Sequence, residues 1–410
     1  MTLAFRDSLT GRSRSVPRTR RTLGMYVCGP TIYDRAHVGH ARTYLYFDLL
    51  RRYFRDRGQP VRHIMNITDY EDKVTERAIA LGFSWRELAR KEERSFLSDF
   101  HRLGLLPPNA TPRASAFVKE MLRYAQALVR TGRTSWEGDE LYFDPDPATD
   151  QQNFPVGRDL SRHAVPEPGV PPPGTDPRSR HVLLFRRQKP PAASWPSPWG
   201  PGAPGWTLEC YAMAHRYVGV PVDIHGGGMD LVFPHHYSEN AVALTLDGQP
   251  FAKRFLHTGF VTQQGHKMSK SVGNLVPLGD ALDRYPASAI RWYLMGPRYN
   301  ARLEWDEASA ARARDEEEEF ARHVALTVQD GAGGSLRSTE LTALVRRVVH
   351  RIEEGFGVDR ALEELQAWSD RIAGAPVPRF ERGARPKVRR LYGRLERLLG
   401  LELTGPGGPG

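Results

Sequence analysis

The chain has 410 residues, of which 40% are hydrophobic and 26% charged, a globular balance with room for two or three domains. No apolar run approaches the roughly 18 residues of a membrane span, so none is expected. Lys and Arg outnumber Asp and Glu 58 to 48, a basic balance that suits a polyanionic partner, and two cysteines exclude a disulfide scaffold or a multi-cysteine zinc module and fit a reducing, cytoplasmic setting.

Residues 6–21 are rich in Arg and Ser, a composition shared with organellar transit peptides, but no apolar h-region is present. Leu23 to Cys28 reads as a buried strand broken by Gly29 and Pro30. A helix is expected from near His40 through Tyr53, ending before Gly58, and a second strand over Val61 to Thr68. Strand, helix, strand at this spacing is the unit of a parallel sheet, with its ligand site at the carboxyl ends of the strands near Cys28 and Thr68. Helices are expected over Glu71 to Ala80, Ser84 to Leu103 and Ala114 to Thr131.

Residues 151–205 hold 13 of the 32 prolines, which predicts a loop-rich insertion, interrupted by a strand over His181 to Phe185. The α/β pattern then resumes: Val222 to Ile224 as strand, Gly226-Gly227-Gly228 as turn, a helix from Pro234, and Leu256 to Val261 as strand. After Trp292 the spacing of apolar residues predicts helices alone, with Asp315 to Glu319 on a solvated face. The expected organisation is an α/β parallel sheet in two halves, 1–115 and 205–300, around an insertion at 116–204, then a helical bundle at 301–404 and a frayed Gly/Pro tail at 405–410.

Two short motifs carry chemistry. His37-Val38-Gly39-His40 places two histidines around a glycine where a helix N-terminus opens toward an anion. Lys267-Met268-Ser269-Lys270-Ser271 uses two of only eight lysines in one loop, suited to charge developing on pyrophosphate. His235 and Glu239, four apart after Pro234, share a helical face; with Cys28 and Cys210 they would make a four-ligand Zn²⁺ site. The same residues also admit a plainer reading, two buried thiols, a capping histidine and a surface glutamate.

The two short motifs in this order mark class I aminoacyl-tRNA synthetases. Met25 to Asp34, His37 to Thr43, Asn66 to Asp69, Trp195 to Gly200, Trp206, Glu209-Cys210, Asp223 to Gly228 and Phe233 to His236 together resemble the cysteinyl-tRNA synthetase family over roughly residues 1–300. Phe5 to Thr10 is similar to that family's opening, which argues against a transit peptide. The resemblance implies a Rossmann-like catalytic domain, with zinc on Cys28, Cys210, His235 and Glu239. It implies His37, His40, Lys267 and Lys270 as catalytic groups on ATP, with Mg²⁺ accompanying it. Gly39, His225, Gly226, Gly227, Asp230, Met268, Ser269 and Ser271 are then expected around ATP, with the 225–228 turn bordering adenosine, and Gly29, Thr68 and Trp206 around substrate cysteine.

The implied reaction is activation of L-cysteine as cysteinyl-adenylate and transfer to an acceptor, the tRNA 3′ end first, with no membrane or DNA partner. The family's anticodon-binding domain has no counterpart after Leu403, a feature shared with the mycothiol-pathway ligase, so a small amine or carrier is the alternative acceptor. A non-catalytic paralogue that binds tRNA or nucleotide is the third reading. Tyr70-Glu71, Thr207, Tyr237-Ser238 and His40 depart from the family's usual residues near the expected pocket.

Overall fold

A computed structural model describes residues 2–17, 21–145, 181–268, 273–329 and 334–403. Its centre is a four-stranded, all-parallel sheet. Strands β1 (Ala4–Arg6) and β2 (Ser13–Ser15) form a small hairpin; the sheet itself begins with β3 (Leu23–Val27). Helix α1 (Val38–Asp56) crosses to β4 (Val61–Met65). The sheet is completed by β9 (Ile224–Gly228) and β10 (Phe255–Thr258), in the order β10-β9-β3-β4.

Alternation along β3 divides the molecule into two cores. Met25 and Val27 face α1 and the C-terminal helices; Tyr26 and Cys28 face the opposite side. That second side is covered by α2 (Asp72–Leu81), α3 (Trp85–Arg102) and α4 (Val118–Val129), and further along by α5 (Trp206–Tyr217) and α6 (Tyr237–Asp247). Ser84 caps α3, its hydroxyl accepting the Glu87 amide at 3.3 Å while Glu87 reaches back to the Ser84 amide.

Between α4 and α5 a separate antiparallel sheet runs β5 (Thr134–Glu137), β6 (Glu140–Phe143), β7 (Val182–Arg187), β8 (Gly202–Pro204). Phe143 pairs with Val182, so the chain leaves this sheet and re-enters it at one point. Residues 146–180, most of the proline-rich stretch, and the 405–410 tail lie outside the described residues.

Beyond β10 come β11 (Val261–Gln263), β12 (His266–Lys267), α7 (Leu278–Arg284), α8 (Ala287–Met295) and β13 (Leu303–Glu304). Four long helices follow: α9 (Glu307–Thr327), α10 (Ser338–Glu353), α11 (Val358–Ala373) and α12 (Arg385–Leu399).

Three expectations are corrected. Gly226 to Gly228 are not a turn but the body of β9, paired with β3 and β10 on both sides. A Cβ on Gly226 would lie 2.0 Å from the Leu256 carbonyl oxygen and 2.6 Å from the Phe47 ring, so glycine here permits close packing rather than a bend. The strand expected over Leu256 to Val261 is two strands in different sheets, β10 and β11. The region after Trp292 is not all helical, because β13 pairs in parallel with β11.

Candidate functional site

Cys28 ends the first half of the sheet, held where its amide donates to the Gly226 carbonyl at 2.9 Å. The next residue must be glycine: a Cβ on Gly29 would sit 1.5 Å from the Asn66 carbonyl oxygen. Asn66 in turn accepts the Gly29 amide at 2.8 Å on its side-chain oxygen. Cys210 lies one turn into α5. His235 and Glu239 come from the kinked segment 232–236 and from α6.

These four side chains close a ring. Cys28 Sγ is 3.4 Å from Cys210 Sγ, Cys210 Sγ 3.4 Å from His235 Nε2, His235 Nε2 3.1 Å from Glu239 Oε1, and Glu239 Oε1 3.6 Å from Cys28 Sγ. A tetrahedral Zn²⁺ with its usual bond lengths requires donor separations of roughly 3.3–3.8 Å. All four residues are buried, and two thiols, an imidazole and a carboxylate are a zinc donor set. A second combination, Cys28, His225, His236 and Glu239, also converges. There, however, His225 faces acceptors with both nitrogens, the Tyr26 carbonyl at 2.9 Å and Glu239 Oε2 at 2.8 Å, which leaves neither for a cation.

The electrostatics match a cation site. Burial would raise the Glu239 carboxyl, but His235, His225 and His236 outweigh it and hold Glu239 well below its ordinary range. Burial would lower His235, but Glu239 and Cys210 carry it up to about 10. Burial would raise Cys210, but hydrogen bonding with Cys28 and the charge of His235 bring it down to about 7, while Cys28 is pushed well up by burial and by Cys210. A divalent cation would take the place of the proton that His235 holds.

Behind the ring, His257 Nε2 meets His236 Nδ1 at 2.7 Å and His236 Nε2 approaches Cys28 Sγ at 3.3 Å. In front, the Trp206 indole stacks on the His235 ring at 4.0 Å and 17°. Thr68 is buried, its hydroxyl donating to Glu209 Oε2 at 2.8 Å. Trp206 and Cys28 line a cleft of about 820 Å³ together with Gly29, His37, Gly39, His40, Gly228, Asp230 and Met268. His225, Gly226 and Gly227 are buried in β9 and do not line it. Among the departures from the family's usual residues, Glu71 lines the cleft, whereas Tyr70 is buried with its hydroxyl toward the Pro204 carbonyl.

His37 is the N-cap of α1. Its Nδ1 accepts the Gly39 amide at 3.1 Å, and His40 Nδ1 accepts the His37 amide at 3.4 Å. This reciprocal capping fixes the neutral tautomers with hydrogen on Nε2, and the two rings stack at 3.8 Å. Burial lowers His40 to about 4, despite the nearby Asp230, so it is a neutral donor at pH 7. Met268 is buried beside the cleft; the Lys267 side chain, Ser269, Lys270 and Ser271 lie outside the described residues. The segment leading to them is anchored by Arg42, buried in α1, which donates to the carbonyls of Gly259 and Phe260 at 3.3 and 3.1 Å and to that of Arg298 at 3.0 Å.

The resemblance, more than spacing, indicated the four metal donors and the histidine pair. It did not indicate Asn66, Glu209, His236, His257 or Arg42 as parts of the site. Asn66, Glu209, His236 and Arg42 lie inside the segments that carry the resemblance but were given no role there; His257 has no local signal, because sheet register brings it in.

The parallel sheet, the capped histidine pair and the following helices define a class I tRNA synthetase fold. Among solved structures, the chain is similar to Mycobacterium tuberculosis methionyl-tRNA synthetase bound by methionyl-adenylate, with TM-score 0.63 and 16% identity over 93% of this chain and 92% of that one. It is also similar to the LeuRS–tRNA–LeuAMS ternary complex of Agrobacterium radiobacter K84, with TM-score 0.64 and 12% identity over 95% and 86%. Residues 14–315 match the family model for the class I (C) tRNA synthetase catalytic domain. The chain belongs to the cysteinyl-tRNA synthetase family and is a ligase of the aminoacyl-tRNA synthetase type. Its relatives include cysteine–tRNA ligases of Aeropyrum pernix, 35% identical over 87% of this chain and 77% of that protein, and of Streptomyces griseus, 37% identical over 78% and 68%. That of Metallosphaera sedula is 38% identical over 71% of this chain and 62% of its own length, so the chain matches under two thirds of that relative. Among the described residues no helix is long and apolar enough to cross a membrane.

Proposed function

We propose that the protein activates L-cysteine with ATP and transfers the cysteinyl group to the 3′ end of a tRNA. The observation that carries this reading is the opening of one cleft onto both the four-donor ring, through Cys28 and Trp206, and the His37/His40 pair. In the first step the cysteine carboxylate oxygen bonds to the α-phosphorus of ATP and pyrophosphate leaves; in the second, a ribose hydroxyl attacks the activated carbonyl and AMP leaves.

His37 and His40 are suited to donate Nε2–H to the phosphates as neutral imidazoles, with the helix N-terminus adding positive potential. Lys267 and Lys270 would neutralise charge developing on pyrophosphate, and Mg²⁺ would arrive with ATP. Gly39, Asp230 and Met268, all on the cleft wall, would border the nucleotide, with Ser269 and Ser271 on the same loop as the lysines. Gly29 and Trp206 would border the amino acid, and Thr68 would act from beneath through Glu209.

Cys28, Cys210, His235 and Glu239 would hold Zn²⁺, which when bound supplies a soft acceptor for a thiolate that serine's hydroxyl satisfies poorly. The division into halves at 1–115 and 205–300, insertion at 116–204 and bundle at 301–404 belongs to the same proposal.

The test is ATP–pyrophosphate exchange by the zinc-replete protein with a panel of amino acids. Exchange with cysteine and not serine is expected; no exchange with any amino acid overturns the reading. Labelled cysteine is then offered with tRNA, and separately with amino-sugar amines; label on amines alone overturns the tRNA acceptor.

A further inference from the structure

Outside the cleft, a cavity of about 480 Å³ lies against α3, lined among others by Asp69, Trp85, Arg86, Arg90, Arg94 and Arg113. Residues 86, 90 and 94 are spaced by four, so their side chains share one helical face and rise about 6 Å from one to the next. Like charges at that spacing repel; of the acids on the same helix, Glu93 lines the cavity and Glu87 feels the charge of Arg90. Here the Arg113 guanidinium is held by Glu93 at 2.7 Å, but Arg90 and Arg94 are exposed and form no ion pair or hydrogen bond among the described residues. Arg86 stacks over the buried Trp85 ring at 4.2 Å. The buried ring thus props Arg86 rather than offering a stacking face, and the guanidinium groups are what this surface presents to a ligand.

The charge distribution agrees. Residues 301–410 hold 18 basic and 19 acidic side chains, so the chain's net +10 resides in the first 300. Position agrees as well. Asp69 lines the cavity and Glu71 lines the cleft, on either side of the buried Tyr70, so the two hollows are neighbours. A single small anion would engage one arginine, or two. A row along a helix, rising at a spacing comparable to that of successive phosphates, suits a polyanionic strand.

We infer that the Arg86-Arg90-Arg94 face of α3, with the cavity beneath it, binds the phosphate backbone of the RNA strand whose end enters the cleft. This rests on the proposed tRNA acceptor and adds a phosphate-binding surface to it.

The experiment compares wild type with R90A/R94A and R90K/R94K. Binding of tRNA is measured at several salt concentrations, alongside ATP–pyrophosphate exchange. Both arginines are exposed, so folding and exchange should be unchanged. R90A/R94A should weaken tRNA binding about tenfold at low salt and flatten the dependence of log K on log salt by about one to two, with R90K/R94K close to wild type. Wild-type affinity and slope in R90A/R94A, with tRNA bound normally by wild type, overturn this surface alone. Loss of exchange in R90A/R94A also overturns it, since the arginines would then be supporting the fold. Failure of wild type to bind tRNA at all removes the tRNA acceptor and this surface together.

Discussion

The Arg42 guanidinium donates to the Phe260 carbonyl at 3.1 Å, linking the helix that carries His37 and His40 to the segment that leads into the lysine loop. No carboxylate pairs with this buried group in any ion pair among the described residues; burial lowers its pKa, opposed in part by Tyr46, while three backbone carbonyls accept its N–H groups. A buried cation that donates to three carbonyls, with the Tyr46 side chain beside it, fixes the positions of those carbonyls.

Arg42→Met should therefore lower kcat in pyrophosphate exchange at least about tenfold, through misplacement of the lysine loop, with little change in KM for cysteine. Arg42→Lys should recover part of it. Metal content should be unaltered in both. A parallel loss of zinc and of kcat would indicate general loosening instead.

Cys210→Ser replaces a thiol held near pKa 7 by a hydroxyl that does not ionise. Metal analysis should find substoichiometric zinc, and cysteine activation should fall together with discrimination against serine. Full zinc occupancy would remove Cys210 from the donor set.

Lys270→Ala should slow adenylate formation by roughly 10²-fold, the scale of one lost charge contact in the transition state. Zinc content and cysteine binding should be untouched. Exchange kinetics equal to wild type would remove Lys270 from the chemistry.

His63, buried in β4 with no hydrogen-bond partner for either ring nitrogen among the described residues, is lowered to about 3 by burial and by Arg51. Its folded pKa lies below the unfolded value near 6.5, so the neutral form favours the fold. The contribution is whole above that unfolded value and is lost as pH falls toward the folded one. Unfolding by denaturant should show about 2 kcal/mol less stability at pH 5 than at pH 7 from this residue. His63→Leu should flatten that part of the profile. An unchanged pH dependence in the variant would assign the loss to other groups.

The fold was legible where periodicity is strong, as in α1, α3 and the C-terminal helices. It was misread where glycine serves packing rather than turning: Gly226 and Gly227 look like a loop, yet both lie in β9, where Gly226 lets the strand pack between β3, β10 and the Phe47 ring. His225, expected at the adenosine pocket, is buried in β9. Alternation along β9 instead places His225 on the side of Cys28 and Glu239. The four donors were indicated by the resemblance; spacing alone, with two on one helical face and two the only cysteines, left the plainer reading open as well. The meeting of His236 with His257 depends on the offset between a kinked helix and a strand, which sequence spacing does not encode.

The antiparallel pairing of Phe143 with Val182 has a consequence for how this chain can change. Everything between those residues starts and finishes at a single clasp, on a sheet separate from the one that carries Cys28. Replacing residues 146–180 with a short Gly/Ser linker should accordingly leave zinc content and cysteine-dependent exchange close to wild type, and loss of both would show that the segment supports the site. If the replacement does leave them so, the clasp is a point of evolutionary slack, where length could drift or a foreign module be accepted without shifting the metal donors.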